Sequence, residues 1–382
     1  MPTLTLSLHD SIHDIPSAEW GACAGVDNPF VSHGFLSALE DSGSAAARTG
    51  WLPRHMVWRD ETGTVQAAAP SYLKSHSYGE YVFDHAWADA LHQAGGRYYP
   101  KLQTAVPFSP VPGPRLLRRS HSTVKAADMG AGLAAICRQL DLSSAHVTFC
   151  TEAEQQALQA AGWLPRLGTQ YHWLNHDYAD FEDFLAALSS RKRKNIRKER
   201  QQAQGELEFL TLTGPEIEPR HWQAFYEFYT ATVDRKWGSA YLTPQFFPLL
   251  AERLGDKVVL MLALQHGEPV AGALNLRGSE ALYGRNWGCK GEWPFLHFEL
   301  CYYRAIDYAI AHGLTRVEAG AQGEHKIQRG YLPQPTYSAH WIEHPGLRRA
   351  ISDFLDREWP ALQRERAALM DLSPYKADTP DG

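Results

Sequence analysis

Cysteine is scarce in this chain: five in 382 residues, at Cys23, Cys137, Cys150, Cys289 and Cys301, odd in number and scattered. They show no paired spacing, which excludes a disulfide framework and a zinc ribbon and fits a reducing compartment. Long apolar runs are missing too. The cleanest, Val258 to Leu264, falls far short of the roughly 20 residues that a spanning helix needs, and reads as a buried strand. His9, Asp10, His13 and Asp14 interrupt the N-terminal region where a secretory signal would be unbroken and apolar. A cytoplasmic protein is expected, touching a membrane at most peripherally. Excess positive charge is also absent. A formal charge of −6 argues against a chain that coats nucleic acid, so any polyanion contact must be local. No close-spaced His or carboxylate motif supports a metal site, which weakens a hydrolase reading built on His297 and His325.

What the chain does contain is a repeat. Gly162-Trp163-Leu164-Pro165 recurs as Gly330-Tyr331-Leu332-Pro333, and His172-Trp173-Leu174 as His340-Trp341-Ile342, all at an offset of 168 residues (330 − 162). A strand-like run precedes each copy, at 145–149 and 316–319. Hairpin patterns follow the same plan at 55–73 and 257–276, and the second half adds a third strand at 281–289. Helices are expected at 132–140 and at 297–312, the latter closed by Gly313. The fold class is therefore mixed α/β (α+β), one sheet-and-helix unit used twice. The boundaries expected are 1–174 for the first domain, 175–205 for connecting acidic and basic helices, 206–344 for the second, candidate catalytic domain, and 345–382 for a C-terminal helix and tail. That helix is expected to pack on the second domain, and the composition after Leu372 reads as disordered. The proline-rich stretch 106–114 is expected to be an extended loop.

The run Ser190 to Arg200 places seven basic residues in a ten-residue window, with Ser190 as the expected helix cap. Arg193, Arg197 and Arg200 share one side at helical spacing, and Lys194 and Lys198 another. These five are the candidate anion-binding residues, for phosphate of a nucleotide, tRNA or lipid head group. A solvated linker helix is the plain alternative.

In the strand 281–289, strict alternation puts Tyr283, Arg285, Trp287 and Cys289 on one face. Its glycines mark either a bulge, with N–H groups free to hold an acyl carbonyl, or room for a bulky neighbour. Beyond it come His297, Glu299 and Tyr303 on the helix, Glu318 at the end of the next strand, and Gly320-Ala321-Gln322-Gly323-Glu324-His325-Lys326 in a loop. Amine acylation needs a carboxylate or imidazole base and an acid. Glu318, Glu324, His325 and Glu299 are the catalytic candidates; Arg285, Trp287, His297, Tyr303, Gln322 and Lys326 are the candidates for binding substrate and acyl donor.

The segments Tyr72-Leu73-Lys74-Ser75-His76-Ser77-Tyr78-Gly79-Glu80-Tyr81, Tyr98-Tyr99-Pro100-Lys101-Leu102, His297-Phe298-Glu299-Leu300-Cys301-Tyr302-Tyr303 and 320–326 resemble the bacterial family of N-acyltransferases labelled peptidoglycan biosynthesis/recognition. That family is similar to the Fem transferases, which use aminoacyl-tRNA to add amino acids to peptidoglycan precursors. Both belong to the GNAT fold group. The resemblance implies tandem GNAT-like domains, the basic helix of Fem proteins at 191–200, and acyl or aminoacyl transfer to a small-molecule or peptide amine, with no firmly bound cofactor and with acyl-CoA or aminoacyl-tRNA as co-substrate. One motif departs from acetyl-CoA enzymes. Their pyrophosphate loop at a helix N-terminus has its nearest counterpart at 127–132, without the basic or amide first residue, and none at 290–296. The alternative function is a non-catalytic module that binds an anionic cell-wall precursor or nucleotide-like ligand. The sequence leaves the oligomeric state open.

Overall fold

The apolar alternation after His55 forms its hairpin. His55–Arg59 pairs antiparallel with Val65–Ala69, and Met56, Trp58, Ala67 and Ala69 enter one core. The structure, a computed structural model, describes residues 4–235, 240–320, 323–377 and 379. Its contacts divide the chain into two units, Met1–Gly168 with Pro335–Arg364 and Thr169–Gln334 with Glu365–Gly382.

In the first unit, Thr5–His9, His55–Arg59, Val65–Ala69 and Leu117–Arg118 form an antiparallel sheet in that order. A second set of strands joins Trp51–Pro53 to Ser71–Lys74, then to Lys101–Thr104, then in parallel to Ser144–Cys150, and last to residues 337–342. The helix Ala126–Gln139 covers one face and buries Met129, Leu133 and Cys137 against Leu102, Ala145 and Val147. Stretch 127–132 lies wholly within this helix. Its Gly130 and Gly132 make room for Leu158 and Trp58, so these glycines serve packing, and no phosphate-binding loop exists there.

In the second unit, Glu208–Thr213, Val258–Gln265, Glu268–Arg277 and Ala281–Cys289 pair antiparallel in sequence order. Val258 to Leu264 is buried on both faces, as an inner strand must be. His266 and Gly267 both take positive φ, 54° and 82°, which is the mirror-image turn that matches strand twist in a tight hairpin. Arg316–Glu318 then runs parallel to 281–283 and antiparallel to 172–174. The helix Pro219–Arg235 lies so close on the sheet that a Cβ at Gly288 would stand 2.1 Å from the Phe228 carbonyl oxygen. Gly288→Ala should therefore cost about 1–3 kcal/mol by overpacking, read as a lower denaturation midpoint; an unchanged midpoint would contradict this contact.

The repeat is in register. The strands Leu164–Leu174 and Leu332–Ile342 each have 11 residues, and each follows a glycine at positive φ, Gly162 at 89° and Gly330 at 87°. His340, Trp341 and Ile342 pair with His146, Ala145 and Ser144, as His172, Trp173 and Leu174 pair with Glu318, Val317 and Arg316. Each unit thus has a parallel strand pair connected through a helix.

Two expectations for the C-terminus are corrected. Leu347, Ile351 and Leu355 of the helix Pro345–Met370 pack with Trp87, Leu91 and Tyr98 of the first unit, because their apolar spacing fits that face. Past Leu372 the chain stays ordered through Tyr375, whose buried ring meets Phe184 and whose hydroxyl donates to the Gly330 carbonyl at 3.0 Å. The proline-rich stretch has no regular structure, as expected, yet it is largely buried.

Candidate active site

The strand Ala281–Cys289 is bulged at Arg285: Asn275 pairs with Gly284, and Leu274 with Asn286. One extra residue switches the faces. Leu282 enters the core of the second unit before the bulge, and Trp287 and Cys289 enter it after. This corrects the strict alternation, which had set Tyr283 beside Trp287. The parallel partner stops at Tyr283 opposite Glu318, so among the described residues 284–289 have a strand neighbour on one side only. In the first unit the residues after the parallel pair are Ala105, Val106, Pro107 and Phe108, all buried. Proline offers no N–H there, whereas 284–289 contain no proline.

The helix over 296–311 contains a π turn at Glu299–Tyr303, an insertion that shifts the faces of a helix and often accompanies functional sites. It points neighbouring tyrosines different ways. Tyr303 donates its hydroxyl to Glu199, while Tyr302 lies 3.1 Å from His325 Nε2. Tyr302 escapes a sequence reading that assumes a regular helix. Burial is the first cause raising the Tyr302 phenol well above its ordinary range, which keeps it a neutral hydroxyl.

His325 stands in the short 3-10 helix Glu324–Arg329. Its ring is 5.6 Å from Phe298 and 6.2 Å from His297, and His297 is 5.2 Å from both Trp287 and Tyr302. Burial first, then Arg329 and Lys326, lower the His325 pKa. The imidazole is therefore neutral at neutral pH, although its residue remains solvent-exposed. Gly323, at φ 107°, gives this ring its space: a Cβ there would sit 2.4 Å from His325 Cε1. Glu324 is exposed beside it. Lys326 is buried, and its ammonium donates to the Ala319 and Gly320 carbonyls at 2.6 and 3.0 Å, tying the loop to the strand end. Gln322 lies outside the described residues.

Glu299 and Glu318 are each held by arginine. Glu299 is fully buried and takes both arms of the Arg200 fork at 3.1 Å, with Gln204 at 3.1 Å and Arg304 at 3.2 Å. Arg200 also bonds Asp307 at 2.6 Å and covers the Phe181 ring. Glu318 is buried and accepts from Arg316 at 2.9 Å. His172, 3.9 Å from Glu318, is driven down to about 3 by burial, then by Arg316 and Lys326, so that neutral contact is no salt bridge.

The basic run forms the helix Ser190–Gln204, with Ser189 rather than Ser190 at the cap position. Its charges split into two groups. Arg200 is held by protein carboxylates as above, Arg193 is half-buried, and Arg197 pairs with Glu182. Glu199 binds Arg329, at 2.8 and 3.1 Å, and Arg329 lies over Phe298. Arg191, Lys194 and Lys198 are exposed at helical spacing.

A family model described as peptidoglycan biosynthesis/recognition, FemAB-like, matches residues 11–377. The chain belongs to the FemAB-like family. Among solved structures it is similar to the C-terminal domain of a lysylphosphatidylglycerol synthetase from Agrobacterium fabrum, at 9% identity and TM-score 0.55, covering 89% of this chain and 96% of that one. L-PGS from Bacillus licheniformis gives 10% identity, TM-score 0.55 and the same coverage. FemX gives 12% identity and TM-score 0.51, covering 92% of this chain and 100% of that one. At such identities the likeness is one of fold, and it accords with the mixed α/β architecture built from two similar units. A search of curated proteins finds no sequence match. Among the described residues no helix is long and apolar enough to cross a membrane.

Proposed function

We propose that this FemAB-like protein transfers an acyl or aminoacyl group to an amine, with the chemistry in its second unit. The observation that carries the reading is the His325–Tyr302 pair beside the one-sided stretch of strand 284–289. A neutral imidazole accepts the proton that the amine must lose as its nitrogen attacks the acyl carbon. Backbone N–H groups of the bulged strand hold the carbonyl oxygen as negative charge grows on it. The tyrosine hydroxyl orients the ring and protonates the departing group while the imidazolium returns the amine's proton to the phenolate across the 3.1 Å contact, so both side chains end in their starting states. Trp287 and His297 line the approach; Arg285 at the bulge and Lys326 under the loop are proposed to position donor or acceptor. Glu324 is proposed to attract the ammonium form of the acceptor, while Glu299, Glu318 and Tyr303 hold the framework.

Acyl-CoA and aminoacyl-tRNA are the candidate donors, and both bring phosphates. Arg191, Lys194 and Lys198 are the proposed contact for them, in a cytoplasmic setting, with a small-molecule or peptide amine as acceptor. Changing these three to Gln should weaken donor binding and flatten its salt dependence, since each lost phosphate contact removes counterion release. An unchanged salt slope would leave the helix as a solvated linker.

The pH dependence tests the base. His325 acts in its neutral form, and its pKa is lowered. Activity should therefore hold steady through neutral pH and fall only on the acid side, below the ordinary imidazole range. A fall centred above that range would point to another base.

A further inference from the structure

A sheet buried on both faces is expected to be apolar on both, because an unpaired polar group costs energy wherever water is excluded. The second sheet of the first unit breaks this rule. Leu102, Ala145 and Val147 face the apolar core. The opposite face carries Trp51, Lys74 and Lys101 as cross-strand neighbours in one row, and Tyr72, Gln103 and His146 in the next. All six are between 0% and 2% exposed. Several belong to segments quoted above for the family resemblance, yet the transfer chemistry uses none of them.

Residues 75–84 cover this face as a loop and bring Ser77, Glu80 and Asp84 into it, all buried. Lys101 Nζ donates to Ser77 Oγ at 2.9 Å, to Glu80 Oε2 at 2.7 Å and to Asp84 Oδ2. Lys74 Nζ lies 3.9 Å from the centre of the Trp51 ring, 3.9 Å from Glu80 Oε1, and donates to the Tyr78 carbonyl at 3.2 Å. Each carboxylate thus commits one oxygen. Glu80 Oε1, Asp84 Oδ1, Gln103 Oε1, the Trp51 indole N–H and the Tyr72 hydroxyl have no hydrogen-bond partner among the described residues. One such group costs about 1–3 kcal/mol, and five in adjacent rows are too many for a site with no occupant.

The unpartnered groups define what such a face would bind. Two ammoniums and two carboxylates sum to zero, so a charged ligand would leave an uncompensated buried charge. Burial pushes Lys74 down to about 7 and Glu80 up to about 7, which lets this pair pass a proton between them without changing the total. Three oxygens need donors, an indole N–H needs an acceptor, and the Tyr72 hydroxyl can serve as either; hydroxyl groups answer all five. The covering loop adds exposed aromatic rings, Tyr78 at 62% and Phe83 at 64%, an apolar platform beside a polar wall. We infer that this face is a second ligand site, for a small uncharged polyhydroxylated molecule.

The test follows the Trp51 indole N–H by NMR in the 15N-labelled full chain, assigned by its loss in Trp51→Phe. Glucose, galactose and N-acetylglucosamine are titrated separately, with glycerol as the control for non-specific hydroxyl contact. At least one sugar should shift the Trp51 signal along a saturating curve, and Glu80→Gln should weaken that binding roughly tenfold or more. Tyr78→Ala, a surface change that leaves the fold intact, should weaken it as well. A signal that none of the sugars moves up to its solubility limit overturns the site. So does a shift that never saturates, that glycerol reproduces, or that persists unchanged in both variants; ordered water then fills the face.

Discussion

Glu299→Ala should destabilise the second unit by about 3–5 kcal/mol, because it leaves the Arg200 fork and Arg304 facing a buried space with their counter-charge removed. Arg200 would keep Asp307, which places the loss at the lower end of that range. The effect is read from denaturant or thermal midpoints, and the basic helix should loosen with it, visible as faster amide exchange over 190–204. Glu299→Gln should lose less, since the amide still offers an oxygen to one arm of the fork. A Glu299→Ala protein that unfolds like the parent would mean the pair contributes nothing, and would return Glu299 to the list of groups available for chemistry.

The second large effect concerns His325→Ala. Removing a general base typically lowers the rate about 10²–10⁴-fold, and the exposed position of His325 means that stability should change little. Tyr302→Phe should lower the rate less, because the imidazole survives without its orienting hydroxyl. Gly323→Ala should act on the same ring by another route, since a Cβ there collides with the imidazole. Rates in His325→Ala equal to the parent, or lost only through unfolding, would make this loop structural.

These contrasts explain what could and could not be read from the chain. The strand 281–289 and the strands of the repeat were legible because glycine turns and apolar runs are local signals. The repeat held its register because Gly162 and Gly330 both close a turn that favours glycine. The site was half legible. His325, His297 and Trp287 gather as ring neighbours, but the bulge at Arg285 and the π turn at 299–303 each insert a residue; the strand glycines allowed a bulge without fixing its place, and the π turn has no compositional mark. A regular helix therefore suggested Tyr303, and the π turn supplies Tyr302. The carboxylates were harder still. Nothing near Glu299 in sequence reveals that Arg200, 99 residues earlier, occupies it. The dense positive charge of 191–200 reads as a search for an external anion; part of it is answered by Glu299, Asp307 and Glu182 inside the protein. The tail follows the same logic, since Tyr375 gains its order from Phe184 and Gly330 rather than from its polar neighbours.

The most direct test of transfer at His325 is donor discharge. Purified parent and His325→Ala proteins, matched for folding, are incubated with acyl-CoA or aminoacyl-tRNA and a panel of small-molecule and peptide amines, and mass spectrometry follows loss of donor and gain of acylated amine. The account predicts discharge with one donor class by the parent, with the acyl group recovered on an amine, and a loss of that activity of about 10²–10⁴-fold in the variant. Equal discharge by both proteins, or none by the parent with either donor, would contradict it.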